Sequence, residues 1–239
     1  MVYGAADVQT GLVVLGGFPI TEDLVSVMDG YLGAAGQAVE LLRQSEIAAA
    51  WERPSALAEM TVGGLAGHLA FQIFSVGSVL DELSAEEQPS EEVPIALLEH
   101  FARAAWIDAP LDGEVNTGIR ARGEKIGSEG ARALEERADA ALVEQRAKLA
   151  EQSGDRVVFL PRGWALTLDD FLITRLLELA VHMDDLAVSV GLAAPELPDA
   201  AFDPVLVLLA RLAGRRHGQA ALLRALSRVE RAPAAVNAI

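Results

Sequence analysis

The sequence predicts an all-α protein, a four-helix bundle followed by a short helical C-terminal extension. Four long stretches repeat apolar residues every three or four positions, which is the period of an amphipathic helix. Turn-bounded runs of β-branched residues are nearly absent, apart from Leu12–Leu15 and Val157–Leu160. The composition, 51% hydrophobic and 23% charged over 239 residues, is that of a globular chain. Long helices whose loops allow antiparallel neighbours pack as a bundle.

The first two helices have marked starts. The first follows Thr21, whose hydroxyl suits an N-cap, and it ends between Arg43 and Ala50. The second follows Thr61 and runs to about Leu83. An acidic loop that contains prolines comes next, at residues 84–94.

A short helix and a charged helix follow this loop. The short helix is expected near Ile95–Ile107. A longer helical stretch then runs to about Gln152 and is interrupted at Gly127 or Gly130. Because this stretch carries most of the solvated Glu, Arg and Lys side chains, we expect it to be the most exposed of the four.

The fourth long helix has clear limits. Thr167 is its N-cap, with an acid three residues later, and Gly191 ends it in the left-handed conformation. Two short helices are expected beyond it, the first beginning near Asp203. We therefore divide the chain into a bundle domain, residues 1–192, and a helical C-terminal extension, residues 193–239.

Charge and cysteine content exclude several classes of function. The net charge of −16 repels phosphate backbones, so nucleic acid is not an expected partner. The absence of cysteine excludes disulfides, thiolate nucleophiles, Cys-ligated zinc and iron–sulfur clusters. A metal site in this chain must therefore be built from histidine and carboxylate side chains.

The N-terminus and the second helix indicate where in the cell the protein is expected. The first twenty residues have no positive charge ahead of their apolar part, so no signal peptide is expected. Residues 60–80 are uncharged and long enough to span a bilayer, but they contain His68, Gln72, Ser75 and four glycines, which indicates a helix buried in protein. We expect a cytoplasmic protein with no membrane partner. Its oligomeric state stays open, with a homodimer as one alternative.

Glu178 and His182 lie one turn apart on the fourth helix. Four-residue spacing brings their side chains together, so that a carboxylate oxygen and an imidazole nitrogen can bind one ion. They belong to a polar stripe that also includes Arg175 and Asp185. Such a stripe is equally typical of the solvated face of an amphipathic helix.

His68 lies on the second helix, on the same stripe as Gln72 and among apolar neighbours. Because no charged side chain accompanies it, we place it in the bundle interior, where an unpaired imidazole costs about 1–3 kcal/mol. Its partner is a metal ion, a helix carbonyl or Gln72. With Glu178 and His182 it completes the two-histidine, one-carboxylate set that catalytic zinc uses while keeping a fourth position open.

Three segments together resemble a known family: residues 60–70 (MTVGGLAGHLA), 175–192 (RLLELAVHMDDLAVSVGL) and 214–233 (GRRHGQAALLRALSRVERAP). The shared pattern is a histidine early in the second helix, followed much later by Arg-x-x-Glu-x-x-x-His-x-x-Asp-Leu. The chain thus resembles the mycothiol-dependent maleylpyruvate isomerase family, a branch of the DinB-like metal-binding four-helix bundles. That enzyme type carries a substantial C-terminal domain, whereas the 48 residues 192–239 follow Gly191 here. This departure argues against maleylpyruvate as the substrate.

The resemblance implies a metal centre that activates a thiol. It implies a divalent metal, most often zinc, held by His68, Glu178 and His182, with the sulfur of mycothiol at the open position. The metal-bound thiolate is then the nucleophile, and the partner is a small electrophilic molecule. Reversible addition makes the protein an isomerase, and retention of the adduct makes it an S-transferase. No catalytic residue is assigned beyond the metal centre.

Three neighbouring side chains have two interpretations each. Asp185 either accepts the second imidazole N–H of His182 or pairs with Arg175 or a neighbouring helix. Arg175 either forms that ion pair or binds a substrate carboxylate, and Gln72 either orients a ligand or satisfies a buried group. Arg175 and Gln72 are therefore candidate cofactor-binding residues.

The sequence also leaves two alternative functions open and assigns several residues a structural role. The alternatives to the enzyme are a non-catalytic metal-binding bundle or ligand sensor, and a metal-water hydrolase. His100, His217 and Trp164 are interpreted as structural residues, without a matching partner for either histidine. The segment 211–231, with a net charge of +5, is expected to dock on the acidic bundle rather than to grip an anion.

Overall fold

The computed structural model describes residues 26–84 and 93–239, and helices dominate this part of the chain. The elements in chain order are α1 Val27–Leu42, α2 Ser45–Ala49, α3 Val62–Ser84, α4 Leu97–Ala102, α5 Glu114–Gly127, α6 Ala131–Leu149, β1 Val157–Leu160, β2 Trp164–Thr167, α7 Leu168–Val190, α8 Asp199–His217, α9 Gln219–Ser227 and a 3₁₀ turn Val229–Arg231. The predicted all-α class is confirmed. The predicted β-branched run Leu12–Leu15 lies outside the described residues.

The bundle is formed by α1, α3, α7 and the pair α5 and α6. Helix α1 packs on α7, and α3 packs on α5, α6 and α7. The helices bury a single apolar core in which Tyr31, Leu65, Leu69, Leu172 and Leu176 are fully buried. Among the described helices, α3 is the one long and apolar enough to cross a membrane, and most of it is buried within the protein.

Helices α3 and α5 approach so closely that their backbones touch. A Cβ built on Gly67 would overlap the carbonyl oxygen of Gly123, and one built on Gly127 would overlap the carbonyl oxygen of Gly63. Glycine is therefore required on both sides of this crossing. The contact fixes α3 at the residue directly before His68 and brings α5 alongside it.

Helix α7 has the termini that the sequence predicts. Thr167 caps its first turn, where the threonine hydroxyl accepts a hydrogen bond from the backbone N–H of Asp170 at 3.1 Å. Gly191 ends it with φ = 77° and ψ = 23°, the left-handed conformation. The helix therefore holds its polar stripe in a fixed register.

Two other helix starts differ from the prediction. Ser26, rather than Thr21, caps α1, because its hydroxyl accepts a hydrogen bond from the N–H of Asp29 at 3.1 Å; Thr21 lies outside the described residues. Helix α8 begins at Asp199, before the predicted Asp203, so Pro204 lies inside the helix instead of at its start.

The charged stretch breaks between Gly127 and Gly130, as predicted. Helix α5 ends at Gly127, and Gly130, with φ = 86°, is the residue that precedes the first turn of α6. The one sheet in the described chain is an antiparallel hairpin in which Val157 pairs with Thr167 and Leu160 with Trp164. The second strand, β2, was not predicted, because its four residues run directly into the N-cap of α7 and are too few to show the alternation of apolar and polar residues typical of a strand.

Helix α8 packs against α1 and α7. Its residues Ala201, Val205 and Leu208 are buried in the same apolar core as the bundle helices. Ala238 and Ile239 also pack against this core. The division into residues 1–192 and 193–239 stays a prediction.

Candidate metal centre and its cavity

Helices α3 and α7 bring His68, Glu178 and His182 together. The Oε2 atom of Glu178 lies 3.5 Å from Nε2 of His68 and 3.3 Å from Nε2 of His182. One donor atom from each side chain lies within 4.8 Å of the other two. The two imidazole rings meet edge to face, with centroids 4.6 Å apart and an interplanar angle of 79°. Three groups from two helices thus point at one small volume.

The spacing of these donors fits a tetrahedral divalent ion. Zinc binds imidazole nitrogen and carboxylate oxygen at about 2.0–2.2 Å, so two tetrahedral ligands lie roughly 3.3–3.6 Å apart. The distances from Oε2 of Glu178 to the two histidine Nε2 atoms, 3.5 and 3.3 Å, fall at that separation. Two imidazoles and one carboxylate leave a fourth position for an exogenous ligand. The residues present therefore fit the metal that the resemblance implies.

Burial and hydrogen bonding set the charge of the three groups. Burial raises the pKa of Glu178, but hydrogen bonds from His182 and His68 outweigh it and hold this pKa well below its usual value. Burial lowers the pKa of His182, yet its hydrogen bonds to Asp185 and Glu178 raise it to about 9 overall. Burial lowers the pKa of His68. These shifts favour a carboxylate at Glu178, an imidazolium at His182 and a neutral imidazole at His68 near pH 7.

Asp185 lies on the far side of the His182 ring. Its Oδ2 atom is 3.0 Å from Nδ1 of His182, so this nitrogen donates its proton to the carboxylate. The bond leaves Nε2 of His182 as the nitrogen that faces Glu178. In contrast, Nδ1 of His68 is buried without a hydrogen-bond partner in the described part of the chain.

Gln72 and Arg175 join the two helices beside the site. Arg175 donates from Nη1 to Oε1 of Gln72 at 2.6 Å, and Gln72 donates from Nε2 to the carbonyl oxygen of His68 at 3.0 Å. Arg175 therefore does not form the ion pair with Asp185 that we considered from the sequence. Gln72 satisfies a buried carbonyl and lies 3.4 Å from Nε2 of His68. Their role in binding a cofactor stays a prediction.

A cavity of about 630 Å³ opens onto the three candidate ligands. Four arginines line it: Arg120 and Arg122 from α5, Arg162 from the hairpin turn and Arg175 from α7. Arg120 forms an ion pair with Glu59 at 2.8 Å. The other three arginines have no ion pair with a carboxylate within 4.0 Å among the described residues, in a chain whose net charge is −16. Arg122 is held over the ring of Phe71, with 4.0 Å between Cζ and the ring centroid. The cavity wall therefore concentrates positive charge.

The sequence did not point to Arg122, Arg162 or His100 as cavity residues. Arg122 lies in a stretch interpreted as solvated, and Arg162 lies in a turn without periodicity. His100 lines the cavity, and Trp164 donates from Nε1 to its Nδ1 at 3.2 Å, a hydrogen bond that the sequence did not indicate. No local pattern carries this pair, because 64 residues separate its members.

His217 and the arginine-rich segment lie elsewhere. His217 donates from Nε2 to the carbonyl oxygen of Asn237 at 2.8 Å, so it too has a partner. Arg215 donates to the carbonyl oxygen of Leu98 at 2.8 Å, and Arg216 lies 3.3 Å from Asp108. These contacts join the segment to the bundle around α4, in line with the expected docking.

Comparison with known proteins places the chain in a family. The family described as the mycothiol maleylpyruvate isomerase N-terminal domain matches residues 32–187. The fold is similar to the crystal structure of the mycothiol-dependent maleylpyruvate isomerase, with a TM-score of 0.50 and 18% sequence identity. It is also similar to a histidine-to-alanine mutant of that enzyme, with a TM-score of 0.51 and 16% identity.

Each structural alignment covers 78% of this chain and 68% of the solved one. No curated protein matches the sequence. The family match spans most of the chain, from α1 to the last turn of α7, and includes the three candidate metal ligands. The chain therefore belongs to the mycothiol maleylpyruvate isomerase N-terminal domain family.

Proposed function

We propose that this protein is a zinc-dependent, mycothiol-dependent enzyme that isomerises a small electrophile or transfers the thiol to it. The observation that carries the proposal is the convergence of His68, Glu178 and His182 on one wall of a cavity large enough for a small ligand. The chain has no cysteine, so an external thiol must supply the sulfur. Family membership supports mycothiol as that thiol.

The residues of the site suit a metal that carries a thiolate. A zinc ion held by His68, Glu178 and His182 would lower the pKa of a coordinating thiol and so supply a nucleophile for addition to a conjugated double bond. Glu178 would supply one negative charge to the ion, and both histidines would bind it as neutral imidazoles. Zn²⁺, one carboxylate and one thiolate then sum to zero charge, which suits a largely buried site.

Asp185 and Gln72 hold the ligands in place. Asp185 accepts the Nδ1 proton of His182 and thereby fixes the tautomer in which Nε2 is free to bind metal. Gln72 ties the His68 turn of α3 to Arg175 on α7. The two helices that supply the ligands are therefore joined at the site itself.

The cavity wall favours an electrophile that carries an anionic group. Arg122, Arg162 and Arg175 line the cavity and have no carboxylate partner among the described residues. A carboxylate on the substrate would compensate this charge with bidentate hydrogen bonds. The volume of about 630 Å³ also limits the substrate to a small molecule beside the thiol.

A conjugation assay tests the proposal. Zinc-loaded protein is incubated with mycothiol and monobromobimane, and the fluorescent conjugate is measured. We expect metal- and mycothiol-dependent turnover that is lost in His68→Ala and kept in His217→Ala, a histidine outside the cavity. Turnover without thiol would indicate a hydrolase instead, and zinc binding without any turnover would indicate a non-catalytic metal-binding bundle.

A further inference from the structure

His100 is a second histidine of the cavity, remote in sequence from the metal ligands. It lies in α4, opposite the hairpin that carries Trp164, and their ring centroids are 6.0 Å apart. The indole nitrogen of tryptophan is a donor only. Because Trp164 Nε1 lies 3.2 Å from Nδ1 of His100, Nδ1 must accept this hydrogen bond and carries no proton.

This contact fixes the tautomer of the ring. A neutral imidazole whose Nδ1 is an acceptor carries its proton on Nε2. Burial lowers the pKa of His100 to about 4, and the nearby Arg175 and Arg162 lower it too, against a smaller opposing effect of Glu178. The ring is thus neutral at physiological pH, with one N–H in a known position.

The Nε2–H group of His100 has no acceptor among the residues that the structure describes. In the described residues Nε2 makes no hydrogen bond, and the buried side-chain atoms without a partner are Nδ1 of His68 and Oε1 of Gln152. Nε2 of His100 is therefore accessible, and the cavity that His100 lines is where a ligand would meet it.

We propose that His100 is a neutral, fixed hydrogen-bond donor to an oxygen atom of the anionic ligand in the cavity, and that Trp164 is the residue that positions it. The inference deepens the proposed function, on which the identity of the cavity as a substrate site rests. His100 would then orient the ligand through a directional hydrogen bond, whereas Arg122, Arg162 and Arg175 supply positive charge. A ligand with a carbonyl or carboxylate oxygen facing α4 is favoured over an apolar one.

Binding of maleate, a small unsaturated dicarboxylate, to zinc-loaded protein tests the donor. Titration calorimetry compares His100→Leu with His100→Gln, which keeps an N–H group. We expect His100→Leu to weaken binding about tenfold or more, the range for hydrogen bonds to charged groups, and His100→Gln to recover most of the loss. Equal losses in both variants, unchanged binding in His100→Leu, or no maleate binding by the wild-type protein would overturn the proposal.

A double-mutant cycle separates positioning by Trp164 from packing. Trp164→Phe removes the indole N–H and keeps an aromatic ring. We expect it to weaken maleate binding in the wild-type background and to have no further effect in His100→Leu. The same loss in both backgrounds would show that Trp164 acts by packing and would overturn its assigned role.

Two controls keep these outcomes interpretable. Thermal unfolding and zinc content show that each variant is folded and loaded with zinc.

Histidine ¹⁵N chemical shifts report the tautomer directly: we expect Nε2–H for His100, and a ring protonated on Nδ1 would contradict the proposal. Mycothiol conjugation is measured on the same samples. If maleate binding depends on His100 but the protein shows no turnover with mycothiol, the proposed function is contradicted and the role of His100 is not.

Discussion

His182 lies between two carboxylates that have different tasks. Glu178 lies on its Nε2 side, shares that space with His68 and is a candidate metal ligand. Asp185 lies on its Nδ1 side and accepts a hydrogen bond. One ring nitrogen therefore faces the candidate metal site, while the other is held by Asp185.

Asp185→Asn tests the positioning of this ring. The amide keeps the shape of the side chain but not its charge, so it holds the imidazole less firmly and makes it less basic. We expect zinc affinity to fall about 10–100-fold, measured by competition with a chromophoric chelator. Asp184→Asn removes the same charge from the neighbouring exposed position and should leave the affinity unchanged. Equal losses in both variants would contradict a specific role for Asp185.

Zinc binding should release a proton near neutral pH. In the metal-free protein the pKa of His182 is about 9, so the ring is protonated at pH 7, whereas the lowered pKa values of His68 and Glu178 leave those groups without a proton to lose. We expect about one proton per zinc from His182 at pH 7. This contribution should vanish as the pH rises above 9. Calorimetry in buffers of different ionisation enthalpy measures it, and proton-free binding at pH 7 would contradict the assignment.

The candidate metal ligands and their neighbours Gln72 and Arg175 could be singled out from the sequence, whereas Arg122, Arg162 and His100 could not. Glu178 and His182 are one helical turn apart, and His68 stands out as a histidine without charged neighbours. Both signals are local. Arg162 and His100 come from a turn and a short helix, and only tertiary packing brings them to the same cavity.

At the scale of elements, the crossing of α3 and α5 sets where the site can form. The backbones touch at Gly67 with Gly123 and at Gly127 with Gly63. Larger side chains would push the helices apart just beside His68. A substitution at this crossing should therefore change both the free energy of unfolding and the position of His68 in the candidate metal centre.

Gly127→Ala should destabilise the protein by about 1–3 kcal/mol, because its Cβ would overlap the backbone of α3. Gly118→Ala is the matched control on the same helix, where a Cβ meets nothing within 4 Å. There the change should stabilise by about 0.5–1 kcal/mol, since alanine is the better helix former. Urea denaturation gives both values. Gly127→Ala as stable as Gly118→Ala would show that the helices do not touch.

Helix boundaries were predictable where a capping residue acts locally. Thr167 and Gly191 delimit α7 through contacts within one turn. The start of α1 was placed too early, because Thr21 and Ser26 are equally good caps by sequence and only the folded helix shows that Ser26 is used. The strand of Trp164 was missed because its pairing partner, not its own sequence, makes it a strand.

At the scale of the whole molecule, charge is unevenly distributed. The chain carries −16, yet the cavity wall holds Arg122, Arg162 and Arg175 without carboxylate partners in the described residues. Because the net charge of the chain is negative and the cavity wall carries these arginines, a small anion is attracted to the cavity rather than to the rest of the surface.

Replacing Arg122 and Arg162 together by glutamine should weaken maleate binding about 10-fold or more, because each arginine contributes on the order of 1 kcal/mol to a partly screened charge pair. The loss should shrink at high salt. The control is Arg132→Gln, on an exposed arginine that pairs with Glu136 outside the cavity. Titration calorimetry at two salt concentrations measures both. Equal weakening by the control would show that net charge, not the cavity wall, attracts the anion.

Cobalt substitution tests the central claim, that the site binds a metal with room for a thiolate, most directly. Co²⁺-loaded protein should show the visible bands of a tetrahedral site, and mycothiol should add a near-ultraviolet thiolate-to-cobalt charge-transfer band that is absent in His182→Ala. A protein that binds Co²⁺ through these residues but whose spectrum does not change with mycothiol would contradict the account.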